Sequence, residues 1–415
     1  MNPKQRIAVA IVVFALLVAV LIAGRWYGTG ATAPKANTSK EVLVHVTNAG
    51  DRGPGTLREA LFIVAATNGP AGISIDVPHV VLETALPALV NGHGVRIQAQ
   101  AGGAEIDAKA LNSGPVLDVS GPDTTIEGLT ISGCPAAAVL VRTTRFHLST
   151  STISSCDVGV EIAENASQTL LDRNHFTQDR VGVRFAASGH GSAVTNNEFS
   201  DNKDAGLWAV RSAPDSHDEP LGIHDNKFTE NGSGIVAGNV PVVIEHNDFI
   251  NAKDAVIHLV GKGAVVRGNH INGGASMGIV AEGVHGAVIE SNELEGLSAY
   301  GVMVRNSSNV LLQSNRLHNC GYGLAFVLGD AKGASTAVDN TIIEPKFNGI
   351  DVVGDSPILR RNQVLRPHAF ALHVEDFQPP AGGDKVQSKP FLENNTFEKP
   401  AAVTKTTAAS TARLR

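Results

Sequence analysis

Two Lys-Asp-Ala triplets, at 203–205 and 253–255, and a polar insertion carrying Asp215, His217, Asp218 and Glu219 are the stretches best equipped to move a proton. An amine or an imidazole becomes a base near neutral pH once burial or a neighbouring charge shifts it. Lys203, Lys253 and His217 are therefore the candidate general bases. The carboxylates around His217 also suit Ca²⁺, which takes oxygen ligands, although no EF-hand loop is present. Arg184 and Arg305 carry planar guanidinium forks that match carboxylates, and Glu282 completes the polar set. Trp208 is one of two Trp residues, and an indole face stacks readily on a sugar ring. Plain structural roles compete with each of these. The Lys-Asp pairs also read as solvated turns, the insertion as an ordinary polar loop, and Trp208 as a ring covered by residues 211–222. His258 reads as inward-facing by alternation, hence a core histidine.

A regular scaffold must position these side chains. Asn followed by any residue and then an apolar one recurs at Asn174, Asn197, Asn226, Asn247, Asn269, Asn292, Asn315, Asn340, Asn362 and Asn395, at spacings of 21 to 33 residues. A Gly-apolar pair follows about eight residues later in most periods, as at Gly182-Val183, Gly206-Leu207 and Gly301-Val302. Such a period marks a solenoid. Its segments alternate apolar with polar, which is strand periodicity. The Leu-x-x-Leu-x-Leu frame of leucine-rich repeats is absent. Three short strands per period give an all-β, right-handed parallel β-helix. About twelve coils at about 4.8 Å each make a rod roughly 55 Å long. The Asn series is structural: Asn tolerates a left-handed turn, and its amide bonds to the coils above and below. Alternation places Arg184, Trp208, Met303 and Asp351 outward, and Glu282, Arg305 and His373 outward two residues further on. Tyr300, Tyr322 and His368 fall in the turns before them. Residues 56–66 put Leu57, Ala60, Leu61 and Val64 on one helical face, with Thr56 as N-cap, and read as a helix capping the first coil.

The stretches VHVTNAGDRGPGTLREAL (44–61), AEIDAKAL and TTIEGLTISG resemble the opening of exported bacterial right-handed parallel β-helix proteins of the pectate lyase-like superfamily. The later NxF and GI repeats are similar to those of pectate lyases, alginate-modifying enzymes and periplasmic accessory proteins. The resemblance spans about residues 42–398. It implies an extended polysaccharide held along one strand's outer face, with lyase or epimerase chemistry in some members and none in others. Mannuronan C5-epimerases of this fold carry Asp-Pro-His; the nearest match here is Arg366-Pro367-His368, which departs at the first position.

Composition agrees with a packed solenoid. Hydrophobic residues make up 43% and charged ones 18%, with 43 Gly. That excludes charge-driven disorder and long coiled coils. A net charge of −7 leaves no broad basic surface, so nucleic acid is not an expected partner. Residues 1–24 contain Lys4, Arg6 and an unbroken apolar run from Ile7 to Ala23, long enough for a signal anchor or a signal peptide. Residues 25–41 read as a tether and 399–415 as a disordered tail. The β-helix is then expected outside the inner membrane, in the periplasm or beyond. Of the three cysteines, Cys134 and Cys156 stand 22 residues apart in adjacent coils. A disulfide or two core thiols both fit there, and Cys320 is left free. Two functions follow: a tethered β-helix that binds and modifies an anionic polysaccharide, or a non-catalytic scaffold of the cell envelope.

Overall fold

The computed structural model describes residues 41–398, apart from 187–188, 212–218, 275–276, 330–332 and 380–383. The segments expected at 1–24 and 399–415, nearly all of the tether at 25–41, and the insertion residues Asp215, His217 and Asp218 therefore lie outside the described residues. Among the described residues, no helix is long and apolar enough to cross a membrane.

The body is a right-handed parallel β-helix. Three parallel sheets of 15, 14 and 12 strands run along it, here called the first, second and third sheets in the order a coil visits them. First- and second-sheet strands are mostly three residues long, such as Leu170–Asp172 and His175–Thr177. Third-sheet strands are mostly longer, from four residues at Ile350–Val353 to nine at Met277–His285. That sheet therefore offers the broadest regular outer face.

The Asn residues do form a ladder. From Asn197 onward each Oδ1 accepts the N–H and the Nδ2 of the Asn one coil earlier, as between Asn269 and Asn292 at 3.0 Å for both bonds. Each Nδ2 also donates to a carbonyl, as Asn292 does to Val266 at 2.9 Å. The left-handed turn lies one residue earlier than the sequence suggests. Arg173, Asn196, Asp225, His246 and Ser291, each directly before a ladder Asn, have φ between 53° and 59°. The Asn itself is free to serve the backbone of two coils, which is why it is buried.

The recurring Gly also has a steric cause. Phe176, Phe199, Phe228 and Phe249 stack in the core with centroids 5.0, 4.6 and 4.8 Å apart. A Cβ at Gly206 would stand 2.7 Å from Phe228 Cδ1, and one at Gly234 would stand 2.7 Å from Phe249 Cδ1. The glycine leaves room for the ring of the following coil. Val183, Phe185, Leu207, Ile235, Ile279, Val302, Leu324, Phe326 and Ile350 line the interior, as alternation requires. The capping helix spans Leu57–Ala66, and the Thr56 side chain accepts the Glu59 N–H at its N-terminus. Its Leu57, Ala60, Leu61 and Val64 are buried against the first coil. Cys134 and Cys156 form a disulfide between neighbouring coils, and Cys320 is free and buried.

Candidate functional site

The outer face of the third sheet is built by register. Arg184, Trp208, Val236, His258, Val280, Met303, Ala325, Asp351 and His373 follow one another in a single outward row. Two residues further along the strands, Val210, Gly238, Val260, Glu282, Arg305, Val327, Val353 and Glu375 form a second row.

Two expectations are corrected here. His258 faces outward, in register with Val236 and Val280, and is not a core residue. His373 lies in the first row beside Asp351, not in the second beside Arg305. One cause explains both. These coils have Val256 and Ala371 where most coils have glycine, so counting from Gly loses the strand phase.

Three groups occupy this face. Toward the N-terminal end, Arg184 Nη2 meets Glu161 Oε1 at 2.6 Å, and Trp208 beside it is 37% exposed. Arg184 thus enters the site already paired, not as a bare cation. In the middle, Glu282 stands between two partners. Its Oε2 is 3.5 Å from His258 Nε2 and its Oε1 is 3.5 Å from Arg305 Nη1. His258 Nε2 is buried without a hydrogen bond, so the first contact is one of charge proximity only. The third group stands toward the C-terminal end. Asp351, 8% exposed, accepts on Oδ1 from Asn348 Nδ2 at 3.1 Å and pairs with His373 Nδ1 at 2.6 Å. A carboxylate oxygen accepts, so Nδ1 carries a proton, and in the neutral imidazole Nε2 is then the acceptor. Glu375 Oε2 lies 4.0 Å from that Nε2, and the Phe370 ring stacks on the imidazole with centroids 6.1 Å apart.

An aromatic file borders this third group. Tyr300, Tyr322 and Phe347 stack across three coils with centroids 4.8 and 5.1 Å apart. Burial, with the neighbouring Tyr322 and Asp351, raises the Tyr300 phenol above its ordinary pKa. The phenol therefore keeps its proton well above neutral pH and can donate it. The oriented imidazole can take a proton from a bound ligand, while the Tyr322 and Tyr300 phenols stand two and three coils earlier, about 10 and 14 Å along the rod.

The candidate bases read from sequence stand apart from this centre. Lys203 and Lys253 are exposed at the corner before the strands Ala205–Val210 and Ala255–Lys262. They lie two coils apart, as their spacing implies. Asp204 pairs with Arg180 Nη1 at 3.0 Å, and Arg180 Nε reaches Asp157 at 2.6 Å, so that carboxylate is already engaged. His217 lies outside the described residues. Arg184 with Trp208, and Glu282 with Arg305, are brought side by side by register. The two pairs are about three coils, roughly 14 Å, apart along the rod. Sequence reasoning did not join Asp351 to His373. Their separation of one coil period at the same strand phase was the available signal.

Comparison with known proteins bears on the fold. The family described as "Right handed beta helix region" matches residues 89–217 and 213–364. The chain belongs to that right-handed β-helix family. No curated protein matches the sequence. Among solved structures, it is similar to the A-module of an Azotobacter vinelandii mannuronan C-5 epimerase, with 12% identity over 82% of this chain and 93% of that one and a TM-score of 0.50. The tailspike protein of E. coli bacteriophage HK620, in complex with a pentasaccharide, gives 11% identity, coverage of 81% and 74%, and a TM-score of 0.57. A PL6 alginate lyase in complex with a trisaccharide gives 14% identity, coverage of 86% and 85%, and a TM-score of 0.52. At such identities the likeness is one of fold. Roles must come from the residues themselves.

Proposed function

We propose that the outer face of the third sheet binds an extended polysaccharide and that His373, oriented by Asp351, abstracts a proton from it. The carrying observation is the buried Asp351 that fixes His373 Nδ1 in the same outward row as Trp208. On this reading the glycan runs along the rod and stacks on Trp208. Arg184 and Arg305 receive its carboxylates. Each guanidinium has five N–H donors, and the contact with Glu161 or Glu282 occupies only part of the fork. His373 Nε2 takes the proton α to a uronate carboxylate. A proton from solvent then goes either to the departing glycosidic oxygen as its bond to the ring breaks, as in a lyase, or to the opposite face of the ring carbon, as in an epimerase. The epimerase, the lyase and the glycan-bound tailspike of the same fold lend support. The N-terminal apolar run supports a β-helix body held outside the inner membrane, which fractionation with protease protection tests directly.

A second reading, a scaffold without catalysis, has its own support in the exposed Trp208, Val210 and Val260 on this face. The full chain, screened against alginate and pectate with and without Ca²⁺, separates the two. Unsaturated product or inverted uronate is expected, with a loss of about 10²–10⁴-fold in His373→Ala and Asp351→Asn. Glycan binding with no turnover leaves the scaffold reading. Turnover unchanged in both variants removes His373 from the chemistry.

A further inference from the structure

The exposed apolar side chains of the body are concentrated at its N-terminal end. Among the described residues twelve large hydrophobics are exposed, and six of them fall within residues 42–90: Val42, Leu43, Phe62, Ile63, Val81 and Val90. All but Val81 stand around the capping helix Leu57–Ala66. Phe62 and Ile63 lie on it. The Val42 N–H donates to the Pro70 carbonyl just beyond its C-terminus, and Leu43 follows. Val90 precedes Asn91, whose Nδ2 donates to the Val64, Thr67 and Gly69 carbonyls at the helix end.

This helix has no polar face beyond its first turn. Its charged residues are Arg58 and Glu59. Arg58 is engaged by Asp51 and by the Thr84 and Ala85 carbonyls, and Glu59 Oε2 accepts the Gly55 N–H at 2.6 Å. From Ala60 to Ala66 every residue is apolar. One face packs on the first coil, while Phe62 and Ile63 on the other are 59% and 41% exposed. A surface helix of a soluble body carries polar residues on that side, and a helix apolar all round is one that is covered on both sides.

The cover is selected by the chain that precedes the body. Glu41 leads directly into the strand Val42–Val46, beside the patch. The 40 residues before it hold the seventeen-residue apolar run Ile7–Ala23. That run carries far more apolar surface than five side chains can cover, and it suits a bilayer core about 30 Å thick. Five side chains are also far fewer than the roughly 20–30 residues a side of a stable protein interface, which argues against a second copy. Residues 24–40 form a linker with a reach of roughly 23 Å. A patch on such a linker meets the bilayer at an effective concentration on the order of millimolar, so a surface too weak to take up lipid from solution stays docked.

We infer that the outer face of the capping helix, with Val42, Leu43 and Val90 beside it, is a lipid-docking surface that seats about 5–10 Å into the headgroup and acyl boundary of a phospholipid bilayer. The inference rests on the reading that Ile7–Ala23 holds the body at a membrane and adds a second contact with the same bilayer. Asp351 and His373 belong to the last two strands of the third sheet, at the far end from the cap, so docking leaves the candidate site free.

The test reconstitutes the full chain into phosphatidylcholine vesicles with and without nitroxide-labelled lipid. An environment-sensitive fluorophore is attached at Ile63→Cys, at Val90→Cys and, as the distant control, at Gln363→Cys, an exposed position on the second sheet. The parent carried through the same labelling supplies the background from the buried Cys320. Emission from positions 63 and 90 shifts to the blue and is quenched by the nitroxide lipid, and emission from 363 does neither. Phe62→Glu, at an exposed position where an unchanged melting curve verifies the fold, abolishes the quenching at 90 while the chain still floats with the vesicles. Flotation of the parent reads the anchor alone. A chain that floats while 63 and 90 stay unquenched keeps the anchor and overturns docking, whereas a chain that does not float overturns both. A blue shift without quenching also overturns docking, because protein then covers the helix: a second copy where dilution in the bilayer removes the shift, residues 1–40 where it does not. Quenching at 90 that is unchanged in Phe62→Glu removes the helix face from the contact and the inference with it.

Discussion

Asp179 occupies the position of an Asn in a second, shorter ladder, and replacing it with Asn should stabilise the protein progressively as pH rises. The Asp179 N–H donates to Asn202 Oδ1 at 3.1 Å, and its own Oδ1 accepts the Cys156 N–H at 2.8 Å. The next two members each donate a side-chain N–H to a carbonyl: Asn202 to Phe176 at 3.1 Å and Asn231 to Phe199 at 2.9 Å. Asp179 Oδ2 is buried with no partner. Burial pushes its carboxyl up to about 8. In the unfolded chain the group titrates near 3.9. Between those values the native state holds a proton that the unfolded state has lost, so stability falls as pH rises. At about 1.4 kcal/mol per pH unit, the deficit approaches roughly 4 kcal/mol by pH 7. Asp179→Asn abolishes that titration and places Nδ2 where it can donate to the carbonyl of Ile153, one coil before Phe176. That bond adds about 1 kcal/mol. Urea unfolding of parent and variant at pH 5, 6, 7 and 8, without reductant, measures the difference while all other titrations cancel. The gap should widen with each step up to about pH 8 and then level off. Parallel curves, or a variant less stable than the parent at pH 7, would refute the assignment of a protonated Asp179.

Asn292→Ala strips the Asn269 N–H and Nδ2 of their acceptor and the Val266 carbonyl of its donor, so a loss of roughly 2–5 kcal/mol is expected in denaturant unfolding. Gly206→Ala drives a methyl into the Phe228 ring and should cost about 1–3 kcal/mol, while Gly206→Ala combined with Phe228→Leu should recover part of it; equal stability of the two would argue against the steric role of that glycine. Thiol counting on the unfolded, non-reduced protein should find one free thiol, from Cys320; three would exclude the bridge. Reducing that bridge, which closes a 22-residue separation, should cost about 3 kcal/mol in the same unfolding assay.

Most of the architecture was legible in the residue order because a solenoid makes tertiary contacts at a fixed sequence separation. The Asn series, the Gly-apolar pairs and the period-2 strands all repeat with the coil, so Asn269 and Asn292, or Leu207 and Ile235, could be placed in contact by counting. The capping helix was legible through Thr56 and its apolar face. The outward placement of Arg184, Trp208, Glu282 and Arg305 also follows from alternation. The count fails where its marker is missing. Val256 and Ala371 replace the glycine, and His258 and His373 were displaced from their true rows as a result.

The tertiary structure alone decided which of the outward side chains act together. Charge partners come from adjacent coils, and their choice depends on side-chain reach across a gap of about 4.8 Å, not on any local pattern. Arg184 is claimed by Glu161 and Arg180 by Asp157 and Asp204, whereas Asp351, buried on the outer face, holds His373. The antiparallel bridge of Phe377 with Val386 is a departure from the parallel repeat that no period encodes. Periodicity carries information about what every coil shares. The chemistry lies in what single coils do differently, and that is settled only when distant segments are packed against one another.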